Sequence, residues 1–289
     1  MLALQILVDG FAISALYGLG AVGFTLIFGV SGVLNLSHGA IMVTSATVAW
    51  AVAERMGAYG GALCGLAAGF ALAFLTYLAV VRPIQRSRRI PPEETEIFVL
   101  TGTLLWGIMI QVVIAYLTTT SPHTVRPLIA GVTQLGGVRT PTNEILTAVL
   151  CWVAIGALTV LIERTRAGKA LIAASVNPRG LTLLGFELER IHLLAWAIYG
   201  LLVGGAGVLL GAFLGASSDN VGTLTASAFS IVVLGGLGSV PGSLLAAYCI
   251  GYLETVTAYL VSPSLRNIPA LILLVAVVWV RPQGFLGRR

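Results

Sequence analysis

Asn35, Ser37 and His38 fall inside the run Gly29-Val30-Ser31-Gly32-Val33-Leu34-Asn35-Leu36-Ser37-His38-Gly39, in the middle of a stretch (residues 11–53) that is otherwise almost entirely apolar. An amide, a hydroxyl and an imidazole at membrane depth are tolerated only against protein or a water-filled cavity. A helix starting near Gly39 and capped by Ser37 or Asn35 would aim its first N–H groups at the break, as in the substrate sites of transporters built on broken helices. Asn35, Ser37, His38 and Gly39 are therefore candidates for lining a translocation path. An ordinary turn between two helices explains the same spacing, and the residues alone leave both readings open.

Residues 163–190 carry a second pattern. Arg164, Arg166, Lys169, Arg179 and Arg190 surround a stretch whose Lys169–Val176 part is helical in character. Asn177-Pro178 provides a start for a second short helix and Gly185 a stop. Leu181, Leu183, Leu184 and Phe186 give that helix something apolar to bury. A helix lying at the lipid surface fits as well, and by physics alone fits better. The third pattern is Gly235-Gly236-Leu237-Gly238-Ser239-Val240-Pro241-Gly242. Gly235, Gly236, Gly238, Pro241 and Gly242 either break a helix into a hinge or let helices pack closely, with Gly238 and Gly242 as a small-xxx-small pair.

Isolated groups offer less chemistry. Glu254, and more weakly Gln111, are polar groups within apolar spans and hence functional candidates, although Glu254 lies near Ser262-Pro263 and would reach an interface from there. Asp9 and Glu54 are close to span ends. Gly29-Val30-Ser31-Gly32 with a distant His192 is a thin case for a serine hydrolase. Cys64, Cys151 and Cys249 lie in apolar stretches and read as small buried hydrophobes, and no metal site is expected.

These residues are positioned by a membrane protein. Of 289 residues, 57% are hydrophobic and 9% charged, with mean hydropathy +0.98; a soluble domain carries about 25% charged residues. In lipid every backbone N–H and C=O must pair internally, which leaves helices or closed barrels. The apolar runs are far longer than the ~10-residue strands of a barrel and match the ~20 residues a spanning helix needs. The 35 glycines suit close helix contacts. The expected fold is an all-α, polytopic bundle in one domain, 1–289, of about 8–9 spans, some broken or re-entrant. Apolar stretches run about 5–30, 39–53, 60–81, 97–117, 143–162, 191–215, 225–260 and 267–280, the seventh long enough for two passes. The first is too long for a signal-peptide core and lacks a basic flank.

The net charge of +5 is distributed by side. Basic clusters at 82–89, 164–190 and 281–289 are expected in the cytoplasm by the positive-inside rule. Loops 118–142 and 216–224 are then expected outside, with Glu54, Arg55 and the N-terminus. Arg86 and Arg288 should be cytoplasmic and Thr120 external. So placed, the positive charge orients the chain in lipid, and no nucleic-acid partner is implied. Leu16-Tyr17-Gly18-Leu19 and Ile198-Tyr199-Gly200-Leu201 match at the start of two spans, which chance explains about as well as an internal repeat.

Taken in order, these motifs make the chain resemble the Liv-type permeases of branched-chain amino-acid ABC importers. Gly23-Phe24-Thr25-Leu26-Ile27-Phe28-Gly29 running into Asn35-Leu36-Ser37-His38-Gly39 is similar to the family's first signature. Thr165-Arg166-Ala167-Gly168-Lys169-Ala170, Asn177-Pro178 and Leu183-Leu184-Gly185 resemble its cytoplasmic coupling loop. Leu234 to Gly242 and Arg281-Pro282-Gln283-Gly284-Phe285-Leu286-Gly287 complete the set. Arg179-Gly180-Leu181 replaces an acidic residue and alanines, and Phe186 stands where isoleucine is common.

The resemblance implies a transport subunit and no enzyme. It implies a second similar permease, two cytoplasmic ATPases carrying ATP and magnesium, a periplasmic binding protein and the bacterial inner membrane. Arg166, Lys169, Asn177, Arg179, Leu183, Leu184 and Gly185 would meet the ATPase. Branched-chain amino acids are the implied substrates, then other amino acids, amides or urea. The chain lacks GxxxxGK[ST], its only lysine being Lys169, so it cradles no phosphates of its own and no cofactor is expected on it. The competing function is a secondary transporter or channel working without ATPases.

Overall fold

The computed structural model describes residues 2–91, 93–118, 121–135, 137–281 and 283–287. Thr120 and Arg288, two of the positions that carry the topology expectation, lie outside them. Helix α1 (Leu2–Ser31) runs through the middle of the bundle. α2 (His38–Thr76) continues through a π-helical turn, Tyr77–Val81, into α3 (Arg82–Arg86). The apolar stretch His38–Arg86 is folded in two at Gly57, whose φ of 74° and ψ of 176° lie outside the helical range and cost a glycine little. The two arms lie so close that a Cβ on Gly61, Gly65 or Gly69 would sit 2.4, 2.4 and 2.1 Å from Ala49 O, Ser45 O and Ser45 Oγ. This is the small-residue packing that lets helices associate in lipid.

Then come α4 (Thr95–Thr118), α5 (Thr142–Arg164), α6 (Arg166–Val176), α7 (Pro178–Leu183), α8 (Leu188–Leu214), α9 (Asn220–Gly235), α10 (Val240–Leu260) and α11 (Ile268–Val280). Among the described residues six helical stretches are long and apolar enough to cross a membrane, and α9 and α11 are shorter apolar helices. The expected 225–260 stretch is thus two helices joined at 236–239. The 118–142 loop is not irregular throughout: β1 (Val132–Leu135) pairs antiparallel with β2 (Val138–Pro141), Val132 opposite Pro141.

The two tyrosine-glycine matches mark an inverted repeat. The same interval separates Tyr17 from His38, where α2 starts, and Tyr199 from Asn220, where α9 starts. The interval from His38 to Gly57, where the second arm of α2 begins, recurs from Asn220 to Ser239, before α10. α1 packs on α10 as α8 packs on α2. α1 ends, and α8 begins, at the same basic end of the bundle: Gln85 in α3 reaches Ser31 O, and Arg82 and Arg86 both pair with Glu189 in α8. Inverted repeats of this kind are a common plan for transporters. At the crossing of the halves, Gly39 in α2 meets Val221 in α9, the repeat-equivalent position.

Candidate functional site

The break at 32–37 is neither a turn in water nor a cap made by its own hydroxyl. α1 ends at the basic end, the chain turns back, and α2 starts inside the bundle. Tyr199, the partner of the break, is about 16 Å along α8 from Leu188, and Thr103, another partner, about 12 Å along α4 from Thr95, at 1.5 Å rise per residue. Asn35, Ser37 and His38 are all 0% exposed. Asn35 Oδ1 accepts from the Ser37 N–H (3.1 Å) and hydroxyl (2.7 Å), while its Nδ2 donates to Tyr199 Oη at 3.0 Å. Tyr199 Oη also lies 3.0 Å from His38 Nδ1, and the Leu36 N–H donates to Thr103 Oγ1 at 3.2 Å.

Ser37 is the residue before the helix, but its side chain makes no cap bond. Instead Gly39 N–H donates to Thr225 Oγ1 of α9 at 3.0 Å. Gly39 has to be glycine here, since a Cβ would lie 2.2 Å from Val221 O. A second break, 215–219, precedes α9 as the first precedes α2. Ala216, Ser217 and Ser218 are buried, which corrects the expectation that 216–224 is wholly an outer loop, and α9 already starts at Asn220.

Beside these breaks a groove of about 280 Å³ opens between α4 and α9, lined by Leu36, Gly107, Gln111, Gly222 and Thr225 among others. Gln111 Nε2 donates to Ser218 O at 3.0 Å. Tyr199, Thr103 and Thr225 were not singled out by sequence reasoning. The one available signal was the tyrosine-glycine match, which the fold now explains.

The coupling segment has the opposite character. Thr165 Oγ1 accepts from Gly168 N–H (2.9 Å) to start α6, one turn earlier than expected. A Cβ at Gly168 would lie 2.2 Å from Leu161 O, so α6 is seated directly on the end of α5. Leu171 and Ala174 are buried, and a cavity of about 110 Å³ separates Leu171 and Ile172 from Gly29 in α1 and Gly238. Asn177 Oδ1 caps α7 through Gly180 N–H (2.9 Å). Gly185, at φ +84°, closes it, with Phe186 N–H donating to Leu181 O.

The four apolar residues do not share one face. Leu181 is buried within the chain, whereas Leu183 and Leu184 are 88% and 76% exposed. Arg166, Lys169, Asn177, Arg179 and Gly185 are exposed as well.

At the third motif Gly238 lies in the link before α10, so it and Gly242 do not share a helix face as a small-xxx-small pair; Gly242 packs on Gly235 instead. A Cβ at Gly242 would lie 2.0 Å from Gly235 O. Gly236 and Gly238 form the link, Ser239 Oγ accepts from Gly242 N–H (3.2 Å), and Pro241 sits in the first turn of α10. The C-terminal signature has a local role. The N–H groups of Phe285 and Leu286 donate to Leu234 O (2.7 Å) and Gly235 O (3.0 Å), so the tail completes the end of α9.

Glu254 does not reach an interface: it is 0% exposed, accepts from Tyr17 Oη at 2.7 Å and lies 3.6 Å from Arg266. Ser31 and His192 make no catalytic pair. The Ser31 hydroxyl donates to Ile27 O (2.6 Å) and His192 bonds the Val30 backbone. Cys151 is buried, but Cys249 is exposed on the outside of its helix, contrary to expectation.

The whole chain then finds its place among known proteins. Residues 6–278 match the family described as branched-chain amino acid transport system / permease component. The chain belongs to this family. It is 28% identical to the high-affinity branched-chain amino acid transport system permease protein LivH of Escherichia coli K12, over 99% of this chain and 96% of the relative. It is equally 28% identical to BraD of Pseudomonas aeruginosa, at the same coverage of both chains. The autoinducer 2 import system permease protein LsrC of Escherichia coli is similar over 53% of the chain at 28% identity. Among solved structures, PsaBC from Streptococcus pneumoniae in complex with Fab superposes with TM-score 0.51 at 13% identity, covering 96% of this chain and 92% of that one, a likeness of fold. This permease is a multi-pass membrane protein of the ABC importer type.

Proposed function

We propose that this permease is one of two membrane subunits of an ATP-driven importer in a bacterial inner membrane, passing branched-chain amino acids, or related small polar solutes such as other amino acids, amides or urea. A periplasmic binding protein delivers the solute. Two cytoplasmic ATPases, which hold ATP and magnesium, dock on α6–α7. A second, homologous permease completes the route, which runs along the α4–α9 groove past the breaks at 32–37 and 215–219.

The observation that carries this reading is the pair Leu183 and Leu184, held out from a capped helix on the basic side of the bundle. Two adjacent, fully presented leucines flanked by Arg179 and Lys169 suit an apolar groove with an acidic rim. Truncating such anchors costs ~2 kcal/mol or more of binding, and the basic residues add charge-assisted hydrogen bonds. Force on α7 passes into α6, which is seated on α5 through Gly168 and packs against α1. The buried break residues shape the route and hold α2 and α9 at its wall, while Gln111, Thr225 and Gly222 face the solute. The Gly235–Gly242 joint, next to α6, is where α9 and α10 shift relative to each other.

Leu183→Asp tests the reading. It is expected to release the ATPase or to uncouple hydrolysis from transport, while loaded binding protein still docks on the opposite face. Retention of both ATPase binding and substrate-stimulated hydrolysis would reduce α7 to a helix lying at the membrane surface.

A further inference from the structure

A second cavity lies on the far side of α1 from the breaks. It is a groove of about 570 Å³ between the first part of α1, the first part of α5 and Tyr252 of α10, walled by Leu7, Phe11, Ala148, Val149, Trp152 and Val153. Leu7, Phe11, Val149, Trp152 and Val153 are exposed, so the groove is open along the side of the bundle. Its walls are braced by polar contacts behind them: Trp152 Nε1–H donates to Tyr248 Oη (2.8 Å) and Tyr252 Oη to Leu7 O (3.1 Å).

Depth identifies what surrounds it. Glu144, at the mouth, is about 30 Å from Arg164 along α5, and Asp9 about 33 Å from Ser31 along α1. That is one hydrocarbon thickness, ~30 Å, from the basic end, so both carboxylates stand at headgroup level on the opposite face. From Glu144 to Val153 the groove extends about 14 Å toward the bilayer centre, close to the depth of one leaflet. The side-chain carboxyls of Asp9 and Glu144 face each other within hydrogen-bonding reach. Asp9 accepts from Tyr259 Oη, and Glu144 Oε2 is buried without a partner. Among the described residues neither carboxylate has an ion pair. An apolar slot one leaflet deep, ending in a pair of hydrogen-bonded carboxyl groups with no cation partner, is complementary to an acyl chain topped by a primary ammonium.

We propose that this groove is a binding site for an aminophospholipid of the outer leaflet, one acyl chain lying along Ala148 and Trp152 and the headgroup ammonium bridging Asp9 and Glu144. A phosphatidylglycerol headgroup has no cation to offer, and the quaternary ammonium of phosphatidylcholine cannot donate hydrogen bonds. The site is independent of the ATPase contact, although α5 connects it directly to α6.

The test is native mass spectrometry of the assembled transporter released from nanodiscs containing equal phosphatidylethanolamine, phosphatidylglycerol and phosphatidylcholine. The expected result is preferential retention of phosphatidylethanolamine by about tenfold, equivalent to ~1.4 kcal/mol. Asp9→Asn with Glu144→Gln should bring the three lipids to parity while a lipid is still retained. Ala148→Trp, which fills the slot, should remove retention altogether. Because Ala148→Trp could disturb folding, Val149→Trp on the exposed wall serves as a second filling variant. Equal retention of the three lipids by the unaltered protein overturns the headgroup assignment. Cross-linking of a cysteine at Val149 to the partner permease makes the groove a subunit interface and overturns the site.

Discussion

The break at 32–37 and the coupling segment at 166–186 are punctuated alike, each by glycines around Asn, Ser or Thr, yet their burial is reversed. In the break, polar side chains are enclosed by apolar helices and bonded to one another: Asn35, Ser37, His38 and Tyr199 form one cluster, in which only His38 Nε2 has no partner. In the coupling segment, capping groups are at the surface and leucines project from it. Enclosed polar groups define one backbone arrangement, because any alternative leaves a buried donor or acceptor unpaired at a cost of ~1–3 kcal/mol. Projecting leucines contribute little to the chain's own stability and are free to bind something else. The first region is architecture for a route; the second is a handle.

That contrast can be broken, starting with the largest expected effect on folding. Gly39→Ala puts a Cβ 2.2 Å from Val221 O, and thermal unfolding in detergent should show a loss of ~3 kcal/mol, the upper end for overpacking. An unchanged melting temperature would mean that α2 and α9 do not meet as described. Asn35→Leu strands the Ser37 N–H and hydroxyl and leaves Tyr199 Oη with His38 alone, and should cost ~2 kcal/mol and lower uptake while ATPases still bind. Wild-type uptake by this variant would deny the break any part in transport.

A smaller loss, ~1 kcal/mol, is expected for Tyr199→Phe, which keeps the ring beside Trp196 but removes the hydroxyl shared by Asn35 and His38. Leu183→Asp should leave the melting temperature of the isolated permease within ~0.5 kcal/mol of wild type, as surface substitutions do. Should it destabilise the permease as much as Asn35→Leu, Leu183 would belong to the bundle and the contrast between the regions would disappear.

What the sequence determined by itself follows from local chemistry and solvent. Long apolar runs can only be helices in lipid, so the all-α bundle, the approximate spans and the two helices within 225–260 were legible. So were the Asn177-Pro178 start and Gly185 stop of α7, because caps and glycine turns act within a few residues. The tertiary structure alone decided depth and partnership. Glycine spacing does not say that Gly39 faces Val221 or that Gly235 meets Gly242, although the turn at Gly57 fell between the expected spans 39–53 and 60–81. A helix of 6 residues is too short to show a periodic face, so its sequence could not separate buried Leu181 from exposed Leu183. Glu254 read as an interfacial acid because its partner Tyr17 is brought from the far end of the chain, while Arg266 folds back onto it from the loop just after α10. A buried polar group is placed by whatever satisfies it, and Tyr17 comes to Glu254, as Tyr199 comes to Asn35, from the other half of an inverted repeat whose trace in the sequence is little more than two tyrosine-glycine pairs.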